Sequence, residues 1–194
     1  EPGQTWVDIS GNDSSGTFGI SLLNDSKCSY SVKDGDMQMT ILHSTAWSEH
    51  IPDTVQVRDG YRYMEQGIHE FTYKLVPHNG DWRDGAIARK AEEYLMKPIV
   101  FLTNNHPGTL PKKNSFITLT GEGISITAAK IAENSSGWIL RCVELNGKAT
   151  KAAIEIKSLN KSVYFTMKPC EIKTFFIPIN KTGGVIKEVN VLEE

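Results

Sequence analysis

Short stretches in which apolar and polar residues alternate recur along this chain at nearly even spacing, and that pattern constrains the fold more than any other feature. Residues 123–128 alternate in this way, and 138–143, 152–156 and 163–167 repeat the pattern, each set apart by clusters of Gly, Asn or Ser. A period of two is what a strand needs when one face lies on a core and the other in water. Nearer the start, Met37, Met39 and Ile41 alternate with Gln38 and Thr40 over 36–43. The preceding Asp34-Gly35 pair predicts a tight turn that joins this strand to one over 28–33. Strands are also expected over 6–9 and 20–23. The chain reads as all-β, with short antiparallel strands in a sandwich.

One segment breaks the pattern. From Asp84 to Lys97 the apolar positions Ile87, Ala88, Ala91, Tyr94 and Leu95 follow a helical period, Asp84 is placed to cap the start, and Pro98 ends the run. A single helix near residues 85–97 is therefore expected. Farther on, residues 106–114 (His106, Pro107, Gly108, Thr109, Leu110, Pro111, Lys112, Lys113, Asn114) carry no periodicity and read as a linker. This divides the chain into a first β unit over 1–105 and a small all-β domain over 115–194.

Size and charge limit the function classes. At 194 residues the chain can bury a core of its own, and 21 basic against 23 acidic side chains leave a net charge of −2, without the basic footprint of a nucleic-acid binder. The longest apolar runs, such as 99–102, fall far short of the ~20 residues of a membrane-spanning helix. The first residues lack a starting Met and any apolar leader, which suggests a piece of a longer, cytoplasmic chain. Cys28, Cys142 and Cys170 are odd in number and widely spaced, as expected of buried free thiols in a reducing compartment. The Asn-x-Ser/Thr triplets at Asn12, Asn24, Asn134, Asn160 and Asn180 then read as unglycosylated.

The stretch over 44–64 is too long to be a simple connection. It carries Trp47, Tyr61 and Tyr63 among Glu49, His50, Asp53, Arg58, Asp59 and Arg62, with His43 before it and Glu65, Gln66, His69 and Glu70 after it. Aromatic faces beside hydrogen-bonding side chains suit a ligand that is polar yet partly apolar, such as a sugar. The same residues would equally serve a solvated loop pinned to a sheet by its aromatics. His43, Glu49, His50, His69 and Glu70 are of metal-ligating type, but their spacing does not support a site: on a strand, His69 and Glu70 would point to opposite faces. No phosphate loop, nucleophile elbow or Cys/His couple is present. No catalytic centre can be assembled from these residues.

Three ordered motifs in the first part of the chain carry a family resemblance. The run 18–27 (FGISLLNDSK), the run 39–44 (MTILHS), and 66–73 (QGIHEFTY) followed by Pro77-His78 resemble the C-terminal, β-rich region of glycoside hydrolase family 38 α-mannosidases of the bacterial and cytosolic type. Ala129-Lys130, Leu140-Arg141 with Glu144, residues 169–174 (PCEIKT) and the terminal Val191-Leu192-Glu193 look like its later motifs. Family members often carry an Arg-containing triplet where His43-Ser44-Thr45 stands here, and an Asp in place of Glu65.

The resemblance implies the C-terminal part of a β-supersandwich over 1–105, followed by a small β-sandwich. It implies a parent enzyme that hydrolyses α-mannosides with retention, using an Asp nucleophile, an acid/base carboxylate and zinc or another divalent metal. All of these belong to an N-terminal catalytic domain. Retaining hydrolysis needs two carboxyl groups roughly 5 Å apart, and no pair in this sequence matches the family's catalytic positions. The chain itself is then expected to hold no catalytic residue, cofactor or metal, and to be inactive alone. Its expected partners are the catalytic domain and, through it, an α-mannoside or oligosaccharide.

Asn24, Asp25, His43, Trp47, Tyr61, Tyr63, Glu65, Gln66, His69 and Glu70 are candidates for lining the substrate cleft or the domain interface. The alternative is a free-standing, lectin-like β-sandwich that binds carbohydrate through Trp47, Tyr61 and Tyr63. If the first unit has lost part of its sandwich, an exposed apolar face and self-association are expected.

Overall fold

The computed structural model describes residues 2–45, 63–179 and 184–194. The chain forms two compact units, Glu1–Pro98 and Ile99–Glu194. Each is built from antiparallel strands, and α1 (Ile87–Leu95) is the α-helix among the described residues. The all-β reading holds.

In the first unit, β1 (Trp6–Asp13), β2 (Gly16–Asn24) and β5 (Tyr73–Asn79) form a sheet in the order β1-β2-β5. A separate hairpin joins β3 (Tyr30–Lys33) to β4 (Asp36–Met39) through Asp34 and Gly35, at φ 52° and 82°. Two successive positive φ values match the right-handed twist of the strands they join, which is why this pair is favoured there. The strand expected over 36–43 ends at Met39. One further ladder bond runs from the Thr40 N–H to the Ser29 carbonyl, and beyond it the His43 N–H donates to the Glu65 carboxylate instead of to a strand.

Register decides what each face of the sheet presents. Val7 pairs with Leu22 and Ile9 with Ile20 on one side of β2; Leu75 pairs with Leu22 and Pro77 with Ile20 on the other. Directly paired residues project to the same face. One face therefore carries Trp6, Leu23 and Val76, which pack with Ile87 and Ala91 of α1, Trp82 and Tyr94. The Trp6 and Trp82 rings lie 5.2 Å apart.

The opposite face carries Val7, Ile9, Phe18, Ile20, Leu22, Tyr73, Leu75 and Pro77. It is partly open to solvent: Leu22 is buried and Val7 and Ile9 are half-buried, but Phe18 is 50% exposed, Ile20 39%, Tyr73 57% and Leu75 52%. The apolar face expected for the first half of the chain is present.

The helix is shorter than its sequence pattern suggested, and its start is built differently. Asp84 does not cap it. Ala86, in the left-handed region at φ 50°, precedes the first turn, with no side-chain cap. Asp81 organises the approach, its carboxylate accepting the N–H of Arg83 at 2.7 Å and of Asp84 at 3.2 Å, while the Asp84 carboxylate accepts the N–H of Asp81 at 3.0 Å. The aspartates are spent on the turn before the helix, the local competition that makes Asp a turn former.

The second unit closes on itself. β9 (Thr150–Ile156) lies between β10 (Lys161–Met167) and β6 (Thr118–Thr120) in one sheet. The other sheet has the order β12-β11-β8-β7, from Lys187–Val189, Ile172–Pro178, Gly137–Glu144 and Ile124–Ile131. Leu140, Cys142, Phe175 and Ile177 from one sheet meet Ile154, Ile156 and Met167 from the other in a single buried core. The Phe165 and Phe175 rings are 4.7 Å apart within it.

All three cysteines are free, but only Cys142 is buried; Cys28 and Cys170 are exposed, contrary to the expectation of three buried thiols. Burial pushes the Cys142 thiol up to about 11, so it packs as a small apolar group. Among the described residues, no helix is long and apolar enough to cross a membrane.

Candidate functional site

The sequence candidates converge where the chain enters and leaves the long stretch after β4. Trp47 and Tyr61 lie outside the described residues, as do Glu49, His50, Asp53, Arg58, Asp59 and Arg62. The two ends of the stretch are clasped together by backbone and side chain alike. The Met64 N–H donates to the Thr45 carbonyl at 2.8 Å, the Ser44 hydroxyl to the Met64 carbonyl at 3.0 Å, and the Gln66 amide to the Ser44 hydroxyl at 2.7 Å.

Glu65 forms the middle of the clasp, at φ 56°. Its carboxylate accepts the His43 N–H at 3.0 Å, and its carbonyl lies 2.8 Å from Nε2 of His69. The hydrogen bond from the His43 backbone, aided by the charge of Lys27 and the two nearby imidazoles, holds the Glu65 carboxyl below its ordinary pKa. His69 and Glu70 lie on irregular backbone rather than on a strand, so the alternation argument about their faces does not apply. His43, Tyr63, Glu65, Gln66, His69 and Glu70 are all exposed. Together they present imidazole, phenol, carboxylate and amide groups to water, a set able to bond hydroxyl groups.

Asn24 and Asp25 stand apart from this cluster in what they do. Asn24 is 1% exposed. Its amide oxygen accepts the N–H groups of Ser26 and Lys27, and its nitrogen donates to the Tyr30 hydroxyl, so it closes the turn after β2. Asp25 reaches across to residue 72, accepting the Thr72 hydroxyl at 2.6 Å and its N–H at 3.1 Å. Those bonds, the hydroxyl first, hold its pKa low. The Tyr94 hydroxyl donates to the same Thr72 oxygen at 2.7 Å, tying α1 to the start of β5. Among the described residues, no three His, Cys, Asp or Glu side chains are grouped so as to hold a metal ion.

A buried polar cluster that sequence reasoning missed lies on the helix side of the first sheet. His78 Nε2 is 2.7 Å from the Asp8 carboxylate, and the two side chains are 2% and 7% exposed. Ser21 donates to the same oxygen, and Ser10 to the other at 2.6 Å. A Ser, a His and an Asp meet here, but Asp8 stands between the other two. In a nucleophilic site the imidazole must touch the hydroxyl, so this cluster bonds three strands together instead. Glycines make room for the ring: a Cβ on Gly19 would come within 2.5 Å of it, and one on Gly85 within 2.8 Å. The signal in the sequence was Pro77-His78 on a strand; Asp8 lies two strands away and one same-face position off His78's register, so the contact is diagonal.

In the second unit the later motifs prove to be parts of one assembly. Lys130 Nζ lies 2.6 Å from the Glu193 carboxylate and 2.5 Å from that of Glu133. Arg141 donates to the Thr174 hydroxyl and to the Val191 carbonyl, both at 3.1 Å. Glu144, 1% exposed, accepts the N–H groups of Asn146, Gly147, Lys148 and Cys170 at 2.8 to 3.2 Å. Burial alone would raise its pKa, but these four donors outweigh it and hold the carboxyl below the ordinary value. The motif residues thus pin the chain end and two turns to the β7-β8-β11 sheet.

No family model matches the chain. Curated relatives do match it. Alpha-mannosidase G of Dictyostelium discoideum is 28% identical over 199 residues, which cover 89% of this chain and 17% of that protein. Alpha-mannosidase 2C1 of Homo sapiens is 28% identical over 145 residues, 73% of this chain and 12% of its own length. The Mus musculus protein of the same name is 27% identical over 146 residues, with the same coverage of 73% and 12%. The resemblance to α-mannosidases read from the sequence is borne out, and the chain spans at most 17% of the length of these relatives.

Proposed function

We propose that this chain is a non-catalytic β module of a family 38 α-mannosidase, and that it docks on the rest of that polypeptide through the bare face of the β1-β2-β5 sheet. The observation that carries the reading is that face: Phe18, Ile20, Tyr73 and Leu75 leave apolar side chains on one side of the sheet substantially exposed, and a soluble protein normally covers such a surface. Similarity to α-mannosidases over only a small part of their length supports a larger body to cover it. On this reading the parent hydrolyses α-mannosides with retention in the cytoplasm, and its nucleophile, acid/base group and divalent metal, usually zinc, sit outside these residues.

The test uses Ile20→Lys and Leu75→Lys in the longer polypeptide. Both should lower the thermal stability of the catalytic part and its activity on a chromogenic α-mannoside, while the 194-residue chain carrying them folds as before. A parent whose stability and kinetics ignore both charges would overturn the docking. The 194-residue chain alone, assayed on the same substrate with added zinc, should show no turnover.

The exposed cluster of His43, Tyr63, Glu65, Gln66 and His69 favours a second contribution, contact with sugar hydroxyls at the edge of the substrate cleft. Ala at Glu65 or His69 in the parent should then raise KM or lower kcat. Unchanged kinetics for both would leave the clasp a purely structural feature. Calorimetric titration of the 194-residue chain with mannose and α-mannobiose separates this from a free-standing lectin, which alone predicts binding at millimolar sugar.

A further inference from the structure

Residues 98–117 run without helix or strand from Pro98 to the start of β6. Within them Ile99, Val100, Phe101 and Leu102 are consecutive, and they are 83%, 78%, 82% and 100% exposed. No hydrogen bond joins the backbone of 99–102 to any other described residue. This is not the composition of a solvated connector. β-branched and aromatic side chains favour a pleated strand, and no Lys, Arg, Asp or Glu occurs from residue 98 to residue 111. The charges by which proteins keep an exposed strand from pairing are missing.

In an extended chain successive side chains point to opposite sides. Ile99 and Phe101 would form one row, Val100 and Leu102 the other. A strand with one covered face needs only one apolar row; two apolar rows mark a strand covered on both faces. Pairing with the same segment of a second copy would not supply that cover, since an isolated two-stranded ribbon leaves both faces in water and is marginal at best. What fits is the edge of a sheet that already has layers on both sides.

We propose that residues 99–102 are a docking strand. They add by backbone hydrogen bonding to the edge of a sheet in the part of the longer α-mannosidase polypeptide outside these 194 residues. The proposal rests on the module reading above and adds a second, separate attachment to it. The relatives supply a body of the required size, since the region matched is at most 17% of each. This attachment is main-chain pairing, with side-chain rows for specificity, whereas the bare face of the first unit is a contact between side-chain layers.

Hydrogen exchange read by mass spectrometry on the 194-residue chain and on the longer polypeptide tests this. The amides of Val100, Phe101 and Leu102 should exchange at unstructured rates in the former and at least about 100-fold more slowly in the latter. Val100→Pro, which removes a donor in a segment with no structure of its own to lose, should restore fast exchange at Phe101 in the longer polypeptide and leave β8 protected. Fast exchange at 99–102 in both, with the β2 and β5 face protected from labelling in the longer polypeptide, would overturn the docking strand and leave the module reading standing. Fast exchange at 99–102 with that face unprotected as well would overturn both. Protection in the 194-residue chain together with a dimer mass would overturn it in favour of self-pairing.

Discussion

β2 and β8 are both inner strands of antiparallel sheets, and each sets a row of apolar side chains on one face of its sheet. In β8, Leu140 and Cys142 are fully buried because a second sheet lies over them. In β2, Phe18 and Ile20 remain 50% and 39% exposed although their own face is apolar from β1 to β5. The two strands are equally well paired. The difference is the layer above them, and it shows that an alternating pattern states which residues share a face but not what covers that face.

The strongest way to break this comparison is to remove volume from the closed core. Phe175→Ala should destabilise the second unit by about 3 to 5 kcal/mol, followed through Trp138 fluorescence in denaturant. An unfolding curve shifted by no more than that of Ile20→Ala would mean that the two faces are equally covered.

Glu144→Ala comes next, since it removes the buried carboxylate that four backbone N–H groups share and should cost about 3 kcal/mol. The pH dependence has a definite sign. Because the folded carboxyl lies below its unfolded value, its contribution is present above the unfolded pKa and fades as pH falls through the folded one. The gap in stability between the native chain and Glu144→Gln should therefore narrow in acid. A gap that widens would refute the four-donor account.

A smaller loss, about 2 kcal/mol, is expected for His78→Ala in the first unit, which leaves Asp8 buried with fewer donors. Trp6 and Trp82 report on it, while the signal of Trp138 should be unmoved if the two units unfold separately. Smallest in stability is Ile20→Lys in the 194-residue chain, within roughly 0.5 kcal/mol of the native chain. Its effect lies in association: dye binding to the bare face and any concentration-dependent dimer seen by light scattering should fall. Persistence of both would place the sticky surface elsewhere.

Much of the fold was legible in the residues. The Asp34-Gly35 turn, the strands near 123–128, 138–143, 152–156 and 163–167, and a helix ending before Pro98 follow from period, turn chemistry and the missing proline donor. The start of α1 was not legible, because Asp81 and Asp84 each accept the other's backbone N–H in a preceding turn. Of the candidate site, the clustering of His43, Glu65, Gln66 and His69 was foreseen as residue types. That Glu65 bonds a backbone 22 positions away, while Asn24 is buried as a turn former, was not.

What the sequence by itself determined is the periodicity: which side chains share a face and where turns fall. Those properties are local, written in the alternation of neighbouring residues and in the backbone preferences of Gly, Asp and Pro. Only the tertiary structure decided which faces are covered. It brought Lys130 to Glu193, Glu144 to the Cys170 N–H and Asp8 to His78, and it left Phe18, Ile20 and residues 99–102 in water. Burial depends on what arrives from distant parts of a chain, and a pattern of period two is the same whether or not a second layer comes to meet it.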